Sequence, residues 1–185
     1  MRDGLPIDSD ISSRMEFIAT NRTLWTLSWF AWMLSALGLF IFCTIFANKL
    51  RSSPLKIVGL AFVGMGIAPD LIAEVNYAFI IPEILVNGAD EQTFLTLETL
   101  SIYLTGFLGN GLYNLGGVVL TISAIRQGLI RSWVAIWGVT AWILGLLLSL
   151  SIAIGSMAGA ELFTASSMVL STLWMLIFAH KVANH

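Results

Sequence analysis

Five stretches of this chain are apolar over lengths that match the hydrocarbon core of a bilayer, and little is left outside them. They fall at about 24–47, 56–82, 93–125, 132–157 and 162–180, each near or above the roughly 20 residues an α-helix needs to cross. Inside lipid every backbone donor and acceptor must be satisfied internally, which restricts spanning segments to helices and closed barrels. The runs therefore read as an all-α, polytopic transmembrane helix bundle of about five spans. With 57% hydrophobic and only 11% charged residues, and a mean hydropathy of +0.88, the chain is far from a soluble domain, where about 25% of residues are charged.

Its 185 residues leave room for one transmembrane domain, 24–185, preceded by a tail at 1–23. The first run is too long for a signal-peptide core and lacks a basic flank followed by a small-residue cleavage site. With Met1 in place, the expectation is that no leader has been removed. Ile11, Met15 and Ile18 recur at helical spacing with Phe17 beside them, which suits a short interfacial helix on the membrane surface; a loosely docked tail is the alternative. Asn21-Arg22-Thr23 matches a glycosylation sequon but abuts a span, and is read as chance. The stretch 93–125 would measure about 50 Å as a helix against a hydrocarbon core of about 30 Å, so it must tilt, bend or protrude.

Basic residues are retained on the cytoplasmic side. Lys49, Arg51 and Lys56 lie between the first two spans, Arg126 and Arg131 between the third and fourth, and Lys181 after the fifth, whereas Asp90, Glu91 and Glu161 mark the opposite loops. This places the N-terminus outside and the C-terminus in the cytoplasm. Arg2, Arg14 and Arg22 then go outside too, offset by Asp3, Asp8, Asp10 and Glu16. A chain this short and poor in loops fits a bacterial inner membrane most simply.

Inside the spans the informative residues are acids. Asp70 and Glu74 stand one turn apart in the second run, and Glu98 interrupts the third. An ionisable residue near mid-membrane costs at least about 2.5 kcal/mol, so such residues face a bundle interior, pair, or line an ion or proton path. At 100° per residue, Asp70, Glu74 and Tyr77 share a face within about 60°, and Asn76 falls elsewhere. If Pro82 and Thr93 mark the outer boundary, Glu74 and Glu98 lie about 12 and 8 Å below it, within side-chain reach. On the third span Glu98, Thr105, Gly106, Gly109, Asn110, Tyr113 and Gly117 form a broad polar or small face, and Asn110 with Asn114 extends a polar ladder toward the cytoplasm. With no basic residue at this depth, the three carboxylates cannot all be ionised and dry. Either a proton is held or a cation balances them. Pro69, just before Asp70, removes a helical hydrogen bond and offers a hinge.

The remaining features have plainer explanations. Trp25, Trp29, Trp133 and Trp137 suit an interfacial aromatic belt, and Trp32, already two turns in, suits it less; a stacking surface for a quinone or carotenoid tail is the sharper alternative. Gly145 with Ser149, and Gly155 with Gly159 at the end of the fourth span, are close-packing signals. His180 can cap the last carbonyls of the fifth span, and His185 carries no evident role. The single cysteine, Cys43, reads as packing.

There is no HExxH, no multi-histidine set, no histidine pair for haem and no nucleotide loop. The all-oxygen donors suit a hard cation such as Mg²⁺, Ca²⁺ or Na⁺ rather than zinc or copper, and nothing points to nucleic acid. Beyond membrane lipid as the surrounding partner, three functions remain. One is a small transporter or channel, self-associating or alone, that binds a proton or cation at Asp70, Glu74, Glu98, Tyr77, Asn110 and Asn114. Another is an accessory or assembly subunit whose acids pair within a larger membrane complex. The third is a carboxylate-based enzyme acting on a lipid. Transport is the preferred one, because three acids exceed what a helix contact needs.

Overall fold

Most helices begin or end where the sequence supplies a physical reason. The computed structural model describes residues 2–6, 10–130 and 132–183. In it the Asp10 side chain accepts from the Ser13 N–H at 3.3 Å and opens α1 (Ile11–Thr20), with α2 (Arg22–Lys49) following directly. Ser53 accepts from the Lys56 N–H at 3.2 Å and starts α3 (Pro54–Val86), with Pro54 in the first turn, where no donor is missed. Asp90 accepts from the Thr93 N–H at 2.8 Å and caps α4 (Glu91–Arg126); the Thr93 hydroxyl and N–H hold this exposed carboxyl below its usual range. α5 (Ser132–Ala153) and α6 (Met157–Ala183) complete the chain. Asp8, Arg131 and His185 lie outside the described residues, as do the side chains of Arg2 and Lys181.

Helices α2 to α6 are long and apolar enough to cross a membrane, and no strand forms among the described residues. The architecture is the expected all-α bundle of five spans, with α1 as a short helix before them. One boundary moves. The fourth span ends at Ala153, because Gly155 adopts a φ of +70° in a tight turn that a side chain would strain. Gly155 and Gly159 therefore sit in a turn and on the next helix, not on one packing face.

Consecutive spans are neighbours throughout. The ring closes where Phe42 and Phe46 of α2 meet Trp174 and Phe178 of α6, with centroid separations of 5.7 Å (Phe42–Trp174) and 4.6 Å (Phe46–Phe178). Lipid provides no hydrophobic drive between helices, so close backbone packing must hold them. The α3–α4 seam supplies it: a Cβ on Gly66 would lie 2.6 Å from the Gly109 carbonyl oxygen, and one on Gly116 would lie 2.6 Å from that of Gly59. The small face expected on the third span is thereby divided. Gly109 faces α3, while a Cβ on Gly117 would meet the Trp142 ring of α5 at 2.4 Å.

Both long helices contain a π-helical stretch, Asn76–Ile80 in α3 and Tyr103–Gly109 in α4. The cause in α3 is Pro82, which has no N–H to give the Ala78 carbonyl, while the Ile81 N–H turns to Asn76. The stranded carbonyls are served by α2: Trp25 Nε1 donates to Tyr77 at 2.7 Å and Thr26 Oγ1 to Ala78 at 2.8 Å. This overturns the belt expectation for two tryptophans. Trp25 and Trp29 are buried, Trp29 stacking on Tyr77 at 4.1 Å, whereas Trp32 is exposed.

The seam gives a direct test. Gly66→Ala should destabilise the protein by about 1–3 kcal/mol through overpacking, read by thermal unfolding in detergent. Gly64→Ala, whose nearest neighbour is Phe40 at 3.7 Å, should be neutral or stabilising by up to about 1 kcal/mol.

Candidate functional site

The three intramembrane acids divide between two environments. α1 packs across the adjoining ends of α3 and α4 and delivers Arg14 into the bundle, where Nη2 donates to Glu98 Oε1. The two side chains are only 4% and 5% exposed. The Arg14 Nε donates to the Gly4 carbonyl at 3.4 Å, and the guanidinium lies 5.3 Å from the Phe94 ring centroid. Burial pulls Arg14 below its ordinary range, with the Tyr77 phenol acting in the other direction. The expectation that no basic residue reaches the depth of the acids is thus corrected. The base comes from the segment before the spans. Its signal was readable: Arg14 falls three residues after Ile11 and four before Ile18, on the apolar face of α1.

Asp70 and Glu74 have no such partner. Asp70 stands at the middle of α3, accepts from the Thr105 hydroxyl in the π-helical stretch of α4, and backs onto Gly109. Glu74 is 2% exposed, and its Oε2 has no hydrogen-bond partner. Among the described residues, the two ion pairs are Arg14–Glu98 and the exposed Arg22–Glu83 contact at 2.5 Å, and neither involves Asp70 or Glu74. Among the described residues no three His, Cys, Asp or Glu side chains converge as a metal site requires, and Glu98 is taken up by Arg14.

The polar ladder also divides. Asn110 donates to the Gly145 carbonyl at 2.6 Å and to Ser149 Oγ at 2.8 Å, and Asn114 donates to the Asn110 carbonyl at 2.7 Å and Oδ1 at 2.9 Å. These amides join α4 to α5, which gives the Gly145 and Ser149 packing signal its physical content. Tyr77 lies on the α1 side of the acid pair, its hydroxyl directed at the Glu98 carbonyl at 3.5 Å. Pro69 is buried within α3, which continues through it; the departure from α-geometry comes at Asn76.

Asn76 is the residue that helical spacing missed. Its Nδ2 donates to Ser101 Oγ at 2.5 Å and to the Leu97 carbonyl at 3.1 Å, and its Oδ1 is buried without a partner. The uniform 100° wheel set it aside, although a carboxamide inside lipid has to find partners on another helix. An apolar groove of about 390 Å³ opens beside it between α3 and α4, bordered by Ile72, Leu97 and Leu104.

Together these features define a polytopic membrane protein that buries a two-carboxylate site between spanning helices, with a third acid neutralised from its N-terminal helix. No family model, curated protein or solved structure matches the chain.

Arg14→Ala would leave Glu98 buried and unpaired, which costs about 3–5 kcal/mol in a buried pair. Undocking of α1 relieves that cost. Amide exchange across residues 11–20 should accelerate by about tenfold or more while α5 is unchanged, and unaltered exchange in α1 would show that other contacts hold it.

Proposed function

We propose that this protein is a small membrane transporter in which Asp70 and Glu74 bind and release a proton. One observation carries the proposal: two buried carboxylates stand one turn apart at the middle of a spanning helix, without a cation, and one of them has an unpartnered oxygen. Two such charges in a low-dielectric interior are too costly to persist together. A proton held between them, and lost when solvent access changes, relieves that cost and is the elementary step of proton-coupled transport.

The number of ligands favours a proton over a divalent cation. Calcium takes six to eight oxygens and magnesium a full octahedron, whereas among the described residues no three His, Cys, Asp or Glu side chains converge to start such a shell, and a proton needs only one acceptor such as the unpartnered Glu74 Oε2. Glu98 enters as a structural anchor rather than a third ligand. Its pairing with Arg14 also removes one reason to expect a partner subunit's arginine. Lipid chemistry is less well supported, because the apolar groove is lined by Leu, Ile and Val side chains with Asn76. We place the end bearing Lys49, Arg51, Lys56 and Arg126 in the cytoplasm, where the backbone N–H of Arg51 donates to Gln127 Oε1 at 2.7 Å and joins the two basic loops. A bacterial inner membrane is the setting this topology suits.

Reconstituted in vesicles with an internal pH-sensitive dye, the protein should dissipate an imposed pH gradient. Glu74→Gln and Asp70→Asn should each slow the flux by about 100-fold, equivalent to about 2.7 kcal/mol, with thermal unfolding close to that of the parent. Equal flux in Glu74→Gln would sink the proposal.

A further inference from the structure

We infer that the Asp70–Glu74 pair is reached from the α1 end of the bundle, and that α1, latched by Arg14 on Glu98, is the gate on that route; the inference rests on the proton-site proposal above.

Away from α1 the way is closed. Between Lys56 and Asp70 helix α3 carries no polar side chain, a dry distance of about 20 Å. Along that length α3 and α4 are in backbone contact at Gly66 with Gly109 and at Gly59 with Gly116, and Val63 and Leu120 are wholly buried in the seam. The Asn110 and Asn114 amides, which would otherwise extend a polar path, are bonded within α4 and to α5.

Toward α1 the polar groups continue. Glu74 Oε2 is an unpartnered acceptor, and Trp29 Nε1 is a buried donor likewise without a partner. Trp29 stacks on Tyr77, which lies about one turn beyond Glu74, and the Tyr77 hydroxyl is directed at the Glu98 carbonyl. Next comes the Glu98 carboxylate, covered by Arg14. These polar groups are set in a buried cluster with Ile18, Trp25, Ile81 and Phe94, so water would pass toward Glu74 only when α1 withdraws Ile18 from it.

The cover is built to come away. It is a helix of ten residues outside the spans, held through Arg14 and through Ile18 packed to 1% exposure, while the Arg22–Glu83 contact beyond it ties α2 to α3. Its release would uncover the Glu98 carboxylate at the mouth of the route.

The test reads water access directly. In a Cys43→Ala background, Glu74→Cys is treated with a membrane-impermeant, positively charged methanethiosulfonate added to either face of sealed vesicles. Gln92→Cys and Arg126→Cys, both at exposed positions near opposite ends, report which face the reagent meets. Modification should occur only from the Gln92 face, and should be about tenfold faster or more when α1 is released by Arg14→Ala. Ile18→Asp, which undocks α1 while Arg14 and Glu98 both keep their charges, should accelerate it equally, and Arg14→Lys should leave it slow. Modification from the Arg126 face, or rates unchanged by both releasing variants, would overturn the gate. Because labelling does not depend on transport, gated labelling in a protein that moves no protons would fault the transport proposal alone, whereas proton flux with access from the Arg126 face would fault the gate alone.

Discussion

The contact on which the rest depends is the one between the backbones of α3 and α4. Where hydrocarbon surrounds every helix, apolar side chains gain nothing by meeting one another, and association rests on close packing and hydrogen bonds. Gly66 and Gly59 on one helix and Gly109 and Gly116 on the other bring the chains together at distances that leave no room for a Cβ. That approach sets Asp70 against Gly109 and within reach of Thr105. It also dries the interior on the side away from α1, which makes the unpaired carboxylates costly and gives the site a direction.

A second consequence concerns how the acids differ. Glu98 stands near the end of the bundle, where a helix outside the spans can bring it an arginine. Asp70 and Glu74 lie too far along α3 for any described cation to reach them. Depth thus separates a structural carboxylate from two with chemical potential. Removing one member of a buried pair strands the other, so Arg14 and Glu98 act as a unit, and that unit ties the position of α1 to the environment of the interior.

The π-helical stretches extend the same economy of backbone groups. Pro82 deprives one carbonyl of its donor, and the local unwinding presents Tyr77 and Ala78 to α2, whose Trp25 and Thr26 satisfy them. Tyr77 is thereby fixed between Trp29 and Glu98. One imino acid near the end of a spanning helix in this way positions an aromatic ring little more than a turn away and buries two tryptophans otherwise expected at the membrane surface.

The sequence by itself determined the class of fold and the number of spans, and located the acids inside them, because hydrophobic length and the cost of a charge in lipid are properties of local composition. The spacing of Ile11, Met15 and Ile18 announced α1, and the small residues of the third span announced close packing. Only the tertiary structure decided which partners met. A helical wheel set Asn76 aside because it lies off the face of Asp70, and belt preference placed Trp25 and Trp29 at the interface; neither shows that Asn76 meets Leu97 and Ser101 or that the two rings pack beside Tyr77. Nor does spacing along one segment show that Arg14 bonds Glu98, 84 positions away, or that Asn110 and Asn114 turn to α5 instead of toward the acids. Those pairings depend on how separate helices lie across one another, a matter of packing geometry that no local pattern carries.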